Sequence, residues 1–208
     1  MKKKILITAG PTWVRLDDVR VITNVFSGKT GVGMAESFAR KGHRVTLLLG
    51  PGGATAKKTK GLTVIPFVYF EELRALLKTE IAKGYDVFIP TAAVADYLPR
   101  TKFCGKMKSG QKDLTLSFKP APKLVKEVRK ADPNISIIQF KLESGTTRDA
   151  LFSSAHASML RTASDLCVAN LLQELPVRYI LDHSGACLAA CPTPAYLYAT
   201  LERLISAE

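Results

Sequence analysis

The stretch DVFIPTAAVADYLPRTKFCGKMK, residues 86–108, runs from an apolar segment through a small-residue turn into a basic arm. Val87, Phe88 and Ile89 form an unbroken apolar run, the mark of a strand covered on both faces, and Pro90 and Thr91 end it. Ala92, Ala93 and Ala95 leave the turn nearly bare of side chains, so backbone can come close to a planar base or a phosphate. Asp96 and Tyr97 then arrive at the strand's carboxyl end, the edge at which open α/β sheets hold ligands. Lys106 and Lys108 follow as flexible cations suited to phosphate oxygens or an activated carboxylate. The plainer alternative is a buried strand followed by solvated lysines, since lysine is mostly exposed in any protein.

Similar apolar runs stand on both sides of this stretch. KILITA (4–9) stops at Gly10-Pro11-Thr12, RVTLLLG (44–50) leaves through Pro51-Gly52-Gly53, and residues 62–66, ISIIQF (135–140) and DLCVAN (165–170) repeat the pattern. Between them lie segments of helical period: Met34, Ala35, Phe38 and Ala39 before Gly42, then Leu73, Leu76, Leu77 and Ile81 on one face. This alternation predicts a single domain over 1–208 with a Rossmann-like, three-layer αβα sandwich and a mostly parallel sheet. Residues 98–118 are expected to leave the sheet as a hairpin arm, with LTLSF (114–118) as a short strand. Pro122 is placed to open a helix over 123–130. Thr147 is placed to cap the next helix, and RYILDHSGACLAA reads as a hairpin before a closing helix over 194–206.

Composition narrows the class. The 208 residues are 47% hydrophobic and 23% charged, a globular balance, and no apolar stretch approaches the roughly 18 residues of a membrane span. The apolar run after Lys2–Lys4 is about four residues, short of a signal peptide's 7 to 15, so a cytoplasmic location is expected. A net charge of +12 attracts polyanions. The lysines are scattered, without aromatics interleaved for stacking on bases, which argues against nucleic acid, and a phosphorylated metabolite explains those from Lys102 to Lys130 equally well. Cys104, Cys167, Cys187 and Cys191 lack zinc-site spacing and read as reduced thiols, so no metal is assigned to side chains.

A loop of about fifteen residues, TWVRLDDVRVITNVF, separates the first strand from the first helix, and loops of that length in a compact domain usually have a job. SGKTGVG (27–33) then opens the helix. It lacks the first glycine of a P-loop, because position 23 is Thr, and its spacing is G-x-x-G-x-G instead of the dinucleotide fingerprint. The exposed N–H groups of a helix start still favour an anion, with Ser27 and Lys29 beside them; a plain capped helix is the alternative.

Taken in order, T-A-G-x-T, D-x-V-R-x-I-T-N-x-x-S-G-K-T-G, L-G-P, A-A-V-A-D-Y, K-M-K, F-K-L-E and D-L-x-V-A-N resemble the phosphopantothenoylcysteine synthetase family, the ligases of coenzyme A biosynthesis. The resemblance implies a stand-alone ligase without flavin that joins 4'-phosphopantothenate to L-cysteine, using Mg²⁺ with CTP, favoured over ATP, as co-substrate. It implies an acyl-nucleotidylate intermediate and a homodimer in which the 100–118 arm completes a neighbour's site. By the same resemblance, Asn24 contacts the acyl intermediate and Lys106 acts on activation. Thr91, Ala92, Asp96, Lys106, Pro122, Leu124, Val125 and Phe140 border the nucleotide. Gly10, Ser27, Gly28, Lys29 and Gly31 take substrate or phosphate. The chain departs from the family pattern at Pro11 and Phe26, and carries Ser158 and Thr162 where two helix lysines are common, with Lys141 available for phosphate charge. Two other classes compete: a nicotinamide-dependent reductase, which lacks its glycine fingerprint and an acid after Leu49, and a basic nucleotide- or nucleic-acid-binding module.

Overall fold

A computed structural model describes residues 1–101, 103–110 and 112–207; Lys102 and Gln111, inside the expected arm, lie outside the described residues. In chain order the elements are β1 (Lys4–Ala9), β2 (Val14–Arg15), β3 (Val21–Ile22), α1 (Lys29–Arg40), β4 (Arg44–Leu49), β5 (Leu62–Pro66), α2 (Phe70–Ile81), β6 (Val87–Pro90) and β7 (Tyr97–Pro99). There follow β8 (Phe118–Pro120), α3 (Leu124–Ala131), β9 (Ser136–Glu143), α4 (Arg148–Thr162), β10 (Leu166–Leu171), β11 (Arg178–Asp182), β12 (Cys187–Cys191) and α5 (Pro194–Ala207). Eight strands form one sheet in the order β12-β11-β10-β9-β6-β1-β4-β5. The six from β10 to β5 are parallel, and the β11/β12 hairpin adds antiparallel strands at one edge. From β1 the chain winds outward through β4 and β5, then returns to β6 on β1's other side and winds the opposite way. The carboxyl ends of β1 and β6 therefore flank the topological switch point, where such sheets bind ligands.

The apolar runs explain the layers. Alternate residues of each inner strand face opposite sides, so Ile5 and Ile7 meet α1 and α5 while Leu6 meets α2 and α3. On one face Met34, Ala35 and Phe38 of α1 and Leu197, Leu201 and Ile205 of α5 are buried. On the other, Leu73, Leu77 and Ile81 of α2 pack with Leu124 and Val128 of α3, and α4 covers Cys167, Ala169 and Leu171 through Leu151, Ala155 and Met159. Each large apolar side chain so buried contributes roughly 1.5–3 kcal/mol before conformational entropy is set against it.

Three expectations are corrected at the arm and the long loop. Residues 114–117 form no strand, and β8 begins at Phe118. Leu114 is 56% exposed and Leu116 and Phe118 are only half-buried, so the apolar alternation of LTLSF covers little. β8 pairs with β7, and Arg100 N–H donates to Ser117 O at 2.9 Å to extend that short ladder. Pro122 does not open α3: Lys123 is the extended cap and the helix starts at Leu124, because Ala121 N–H is held by Asp96 O at 2.8 Å and the chain is still leaving the ribbon. The loop over residues 12–26 is partly ordered by the β2/β3 ribbon. Thr147 caps α4 as expected, its Oγ1 accepting from Ala150 N–H at 3.3 Å.

Candidate active site at the carboxyl edge of the sheet

A cleft of about 540 Å³ opens where the exits of β1, β6 and β9 meet the first turn of α1. Gly10, Asn24, Ser27, Gly28, Lys29, Gly31, Thr91, Ala92, Asp96 and Phe140, all singled out in the sequence, line it together. Lys106, Pro122, Leu124 and Val125 do not. Leu124 is a core residue 6% exposed, Val125 packs against the same cluster and Pro122 is exposed beside it. A groove of about 620 Å³ between α2 and α3 is the larger cavity, but its walls are helical side chains, among them Leu77, Ile81 and Leu124.

Close backbone approach builds the floor. Gly28 caps α1 with φ of +82°, and a Cβ there would lie 2.8 Å from Gly10 N. A Cβ on Gly31 would come within 2.6 Å of the Ala9 Cβ and would also strike Thr91 Oγ1. The helix start can therefore sit directly on the ends of β1 and β6. The turn after β6 is pinned in return: Thr91 N–H donates to Thr8 O (3.0 Å), Ala92 N–H to Thr8 Oγ1 (3.3 Å), Ala93 N–H to Gly10 O (3.0 Å), Val94 N–H to Ala92 O (3.0 Å) and Ala95 N–H to Thr12 Oγ1 (3.0 Å). The small residues thus make room and a fixed floor, while the turn's N–H groups are spent inside the protein. In the first turn of α1, Lys29 N–H meets Ser27 Oγ at 3.5 Å, while the N–H groups of Thr30 and Gly31 have no partners within the helix.

Polar side chains stand around this floor. Asn24 Nδ2 donates to Ala93 O at 3.1 Å, which orients the amide and leaves its Oδ1 free to accept. Asp96 pairs with Lys123 at 2.5 Å across the mouth, both well exposed, so the pair is worth at most about 1 kcal/mol and yields readily to a ligand. Lys141 pairs with Glu143 at 3.0 Å; that Lys141 hydrogen bond first, and one from Ser154 next, hold the Glu143 carboxyl below its ordinary value. Ser158 and Thr162 do not line the cleft; Thr162 Oγ1 lies among Ser158 O, Gln139 Oε1 and Ser164 Oγ.

The sequence reading missed Arg178. It begins β11, lines the cleft, donates from Nη2 to Thr30 Oγ1 at 3.2 Å and from Nη1 to Pro176 O at 2.9 Å. Burial draws its guanidinium below the ordinary value, and Tyr198 and Cys191 offset part of that. Its only sequence signal was a cation at the start of a hairpin strand.

Lys106 lies on the arm, and the arm is tied to the body by the long loop. Buried Asp17 accepts from the N–H groups of Val19 (2.9 Å), Arg20 (2.7 Å) and Met107 (3.0 Å) and from the Arg20 guanidinium. Arg20 Nη1 also donates to Met107 O at 3.3 Å, Asp18 N–H to Gly105 O at 3.2 Å and Phe103 N–H to Leu16 O at 3.2 Å. Burial raises the Asp17 carboxyl, but the donors from Met107, Val19 and Arg20 outweigh it and bring it down to about 2. Both neighbours of Lys106 are therefore fixed to the loop that leads to Asn24. Among the described residues no group of three or more His, Cys, Asp or Glu is placed to hold a metal ion, and no helix is long and apolar enough to cross a membrane.

A parallel sheet with a small-residue cleft at its switch point defines an α/β ligand-binding domain. The model of the DNA/pantothenate metabolism flavoprotein C-terminal domain family matches residues 1–185, and the chain belongs to that family. It is 36% identical over 172 residues to the coenzyme A biosynthesis bifunctional protein CoaBC of Thermococcus kodakarensis, covering 82% of this chain and 42% of that protein. The chain thus spans about two fifths of the length of this curated relative. Among solved structures it resembles the DNA/pantothenate metabolism flavoprotein from Streptococcus pneumoniae, with a TM-score of 0.91, 23% identity and 99% of both chains covered. It also resembles a Cab2 variant in complex with phosphopantothenate-cysteine, with a TM-score of 0.72, 18% identity, and 99% of this chain and 88% of that one covered.

Proposed function

We propose that this domain is a phosphopantothenate–cysteine ligase that works through an acyl-nucleotidylate. Family membership supports the reaction class, and one observation carries its assignment to a place: ten residues singled out in the sequence converge on a single cleft at the sheet's switch point. In the first step the carboxylate of 4'-phosphopantothenate attacks the α-phosphate of CTP or ATP and pyrophosphate leaves. In the second the amine of L-cysteine attacks the acyl carbon, forming the amide and releasing the nucleoside monophosphate. The triphosphate enters with Mg²⁺, which neutralises charge on its oxygens.

The chain's own residues bind and orient. Asp96 and the Thr91–Ala92 turn face the nucleoside, and Phe140 packs beside it. Asn24, already held by Ala93 O, presents its amide to the acyl group without adding charge. Lys106 is outside the cleft of its own chain, so it reaches the cleft of a second copy in a homodimer, where its charge stabilises the phosphoryl and carboxylate oxygens during activation. CTP is the favoured nucleotide over ATP. Thermal unfolding with MgCTP, MgATP or NADPH, paired with mass detection of phosphopantothenoylcysteine, tests this reading. A raised Tm with a triphosphate, together with product, is expected; stabilisation by NADPH or duplex DNA alone would overturn it.

A further inference from the structure

We propose that Arg178, with Asn170 beside it, grips a phosphate group of one of the two phosphorylated substrates against the first turn of α1, and so makes that phosphate a requirement for binding. The inference rests on the ligase reading only for which molecule carries the phosphate.

Two independent observations point to an anion. A guanidinium has five N–H donors, and Arg178 directs one to Thr30 Oγ1 and one to Pro176 O, so three remain. No carboxylate pairs with it among the described residues, whereas Lys141 in the same cleft is engaged by Glu143. The second observation is Asn170, which lines the cleft, is 7% exposed, and whose amide makes no hydrogen bond to protein among the described residues. Unlike the buried Gln139 Nε2, the Asn170 amide faces the open cleft, where a ligand or water can meet it. Register brings the two together: Ala169 pairs with Tyr179, and Asn170 and Arg178 follow at the same end of β10 and β11. The bond to Thr30 Oγ1 holds the guanidinium beside the first turn of α1, so its charge and the main-chain donors of that turn lie at the same cleft. A tetrahedral, doubly charged phosphate uses such a set fully, and a neutral hydroxyl in its place would leave it unmet.

The test is calorimetric titration of the intact chain with MgCTP, MgATP and 4'-phosphopantothenate separately, for the wild type, Arg178→Gln, Arg178→Lys and Asn170→Ala. Arg178→Gln should weaken one class of ligand about 10- to 100-fold, as expected for loss of a charge-assisted contact, with Arg178→Lys intermediate and Asn170→Ala smaller on the same ligand. A loss confined to 4'-phosphopantothenate places its phosphomonoester there; a loss confined to the triphosphates places a nucleotide phosphate there. Unchanged affinity for all three in Arg178→Gln overturns the proposal, as does an equal weakening of all three with a lowered Tm, the mark of a structural role. If Arg178→Gln does not fold, Arg178→Lys with wild-type affinities throughout overturns it. A wild type that binds these ligands but makes no phosphopantothenoylcysteine would remove the ligase reading and leave this one standing.

Discussion

The cleft and the arm solve opposite problems. The cleft is built from strand ends and a helix start packed so closely that Gly28 and Gly31 leave no room for a Cβ, and every N–H of the Thr91–Ala95 turn is already engaged. The arm has a three-residue ribbon at its base, an exposed Leu114, and a tether that depends largely on one buried carboxylate. A rigid floor suits a group that must be held in one orientation for in-line attack. A thinly anchored segment suits the proposed role of Lys106, a cation that arrives with the nucleotide and leaves with pyrophosphate. The contrast predicts that changes to the glycine floor of the cleft cost the fold, while changes to the arm cost only the reaction.

The largest effect is expected at Gly31→Val, which drives a branched side chain into Ala9 and Thr91 and should destabilise by about 3 kcal/mol, the upper end of overpacking costs. Chemical denaturation would show it, and wild-type stability would mean that the α1–β1 contact is looser than described. On the proposed role of Lys106, Lys106→Gln should lower pyrophosphate release on the order of 100-fold while moving Tm by less than about 2 °C, because an exposed lysine supplies little packing. Full pyrophosphate release by this variant would remove Lys106 from its assigned role. A smaller effect is expected for Asp17→Asn, roughly 10-fold in kcat, with KM for the triphosphate nearly unchanged and faster tryptic cleavage within the arm. Its pH behaviour has a definite sign. The folded carboxyl, at about 2, lies below its ordinary 3.8, so the tether is complete above the ordinary value and is lost as pH falls through about 2. Arm cleavage in the wild type, followed with an acid-active protease, should therefore stay slow at neutral and mildly acidic pH.

The same contrast explains what the sequence could show. KILITA, RVTLLLG and ISIIQF are continuous apolar runs between helical segments, and that local pattern is enough for a parallel sheet and its carboxyl edge. Asp96 follows the β6 run within one turn, and Gly28 and Gly31 were visible as a glycine-rich helix start, whereas Asn24 in the long loop was marked only by the family resemblance. Asp17 was visible as one polar residue of a long loop, but its burial depends on Met107, ninety residues further along. Arg178 is still further from Thr30, and only the order β1-β6-β9-β10-β11 brings it over α1. The strand expected at 114–118 failed because alternation predicts a strand only where one face has something to cover.

Incubation with 4'-phosphopantothenate, Mg²⁺ and α-labelled CTP or ATP, first without and then with L-cysteine, is the most direct test of the central claim. The account predicts pyrophosphate and a bound acyl-nucleotidylate before cysteine is added, then labelled nucleoside monophosphate and phosphopantothenoylcysteine after it. Nucleoside diphosphate with inorganic phosphate, or product without any labelled monophosphate, would contradict it.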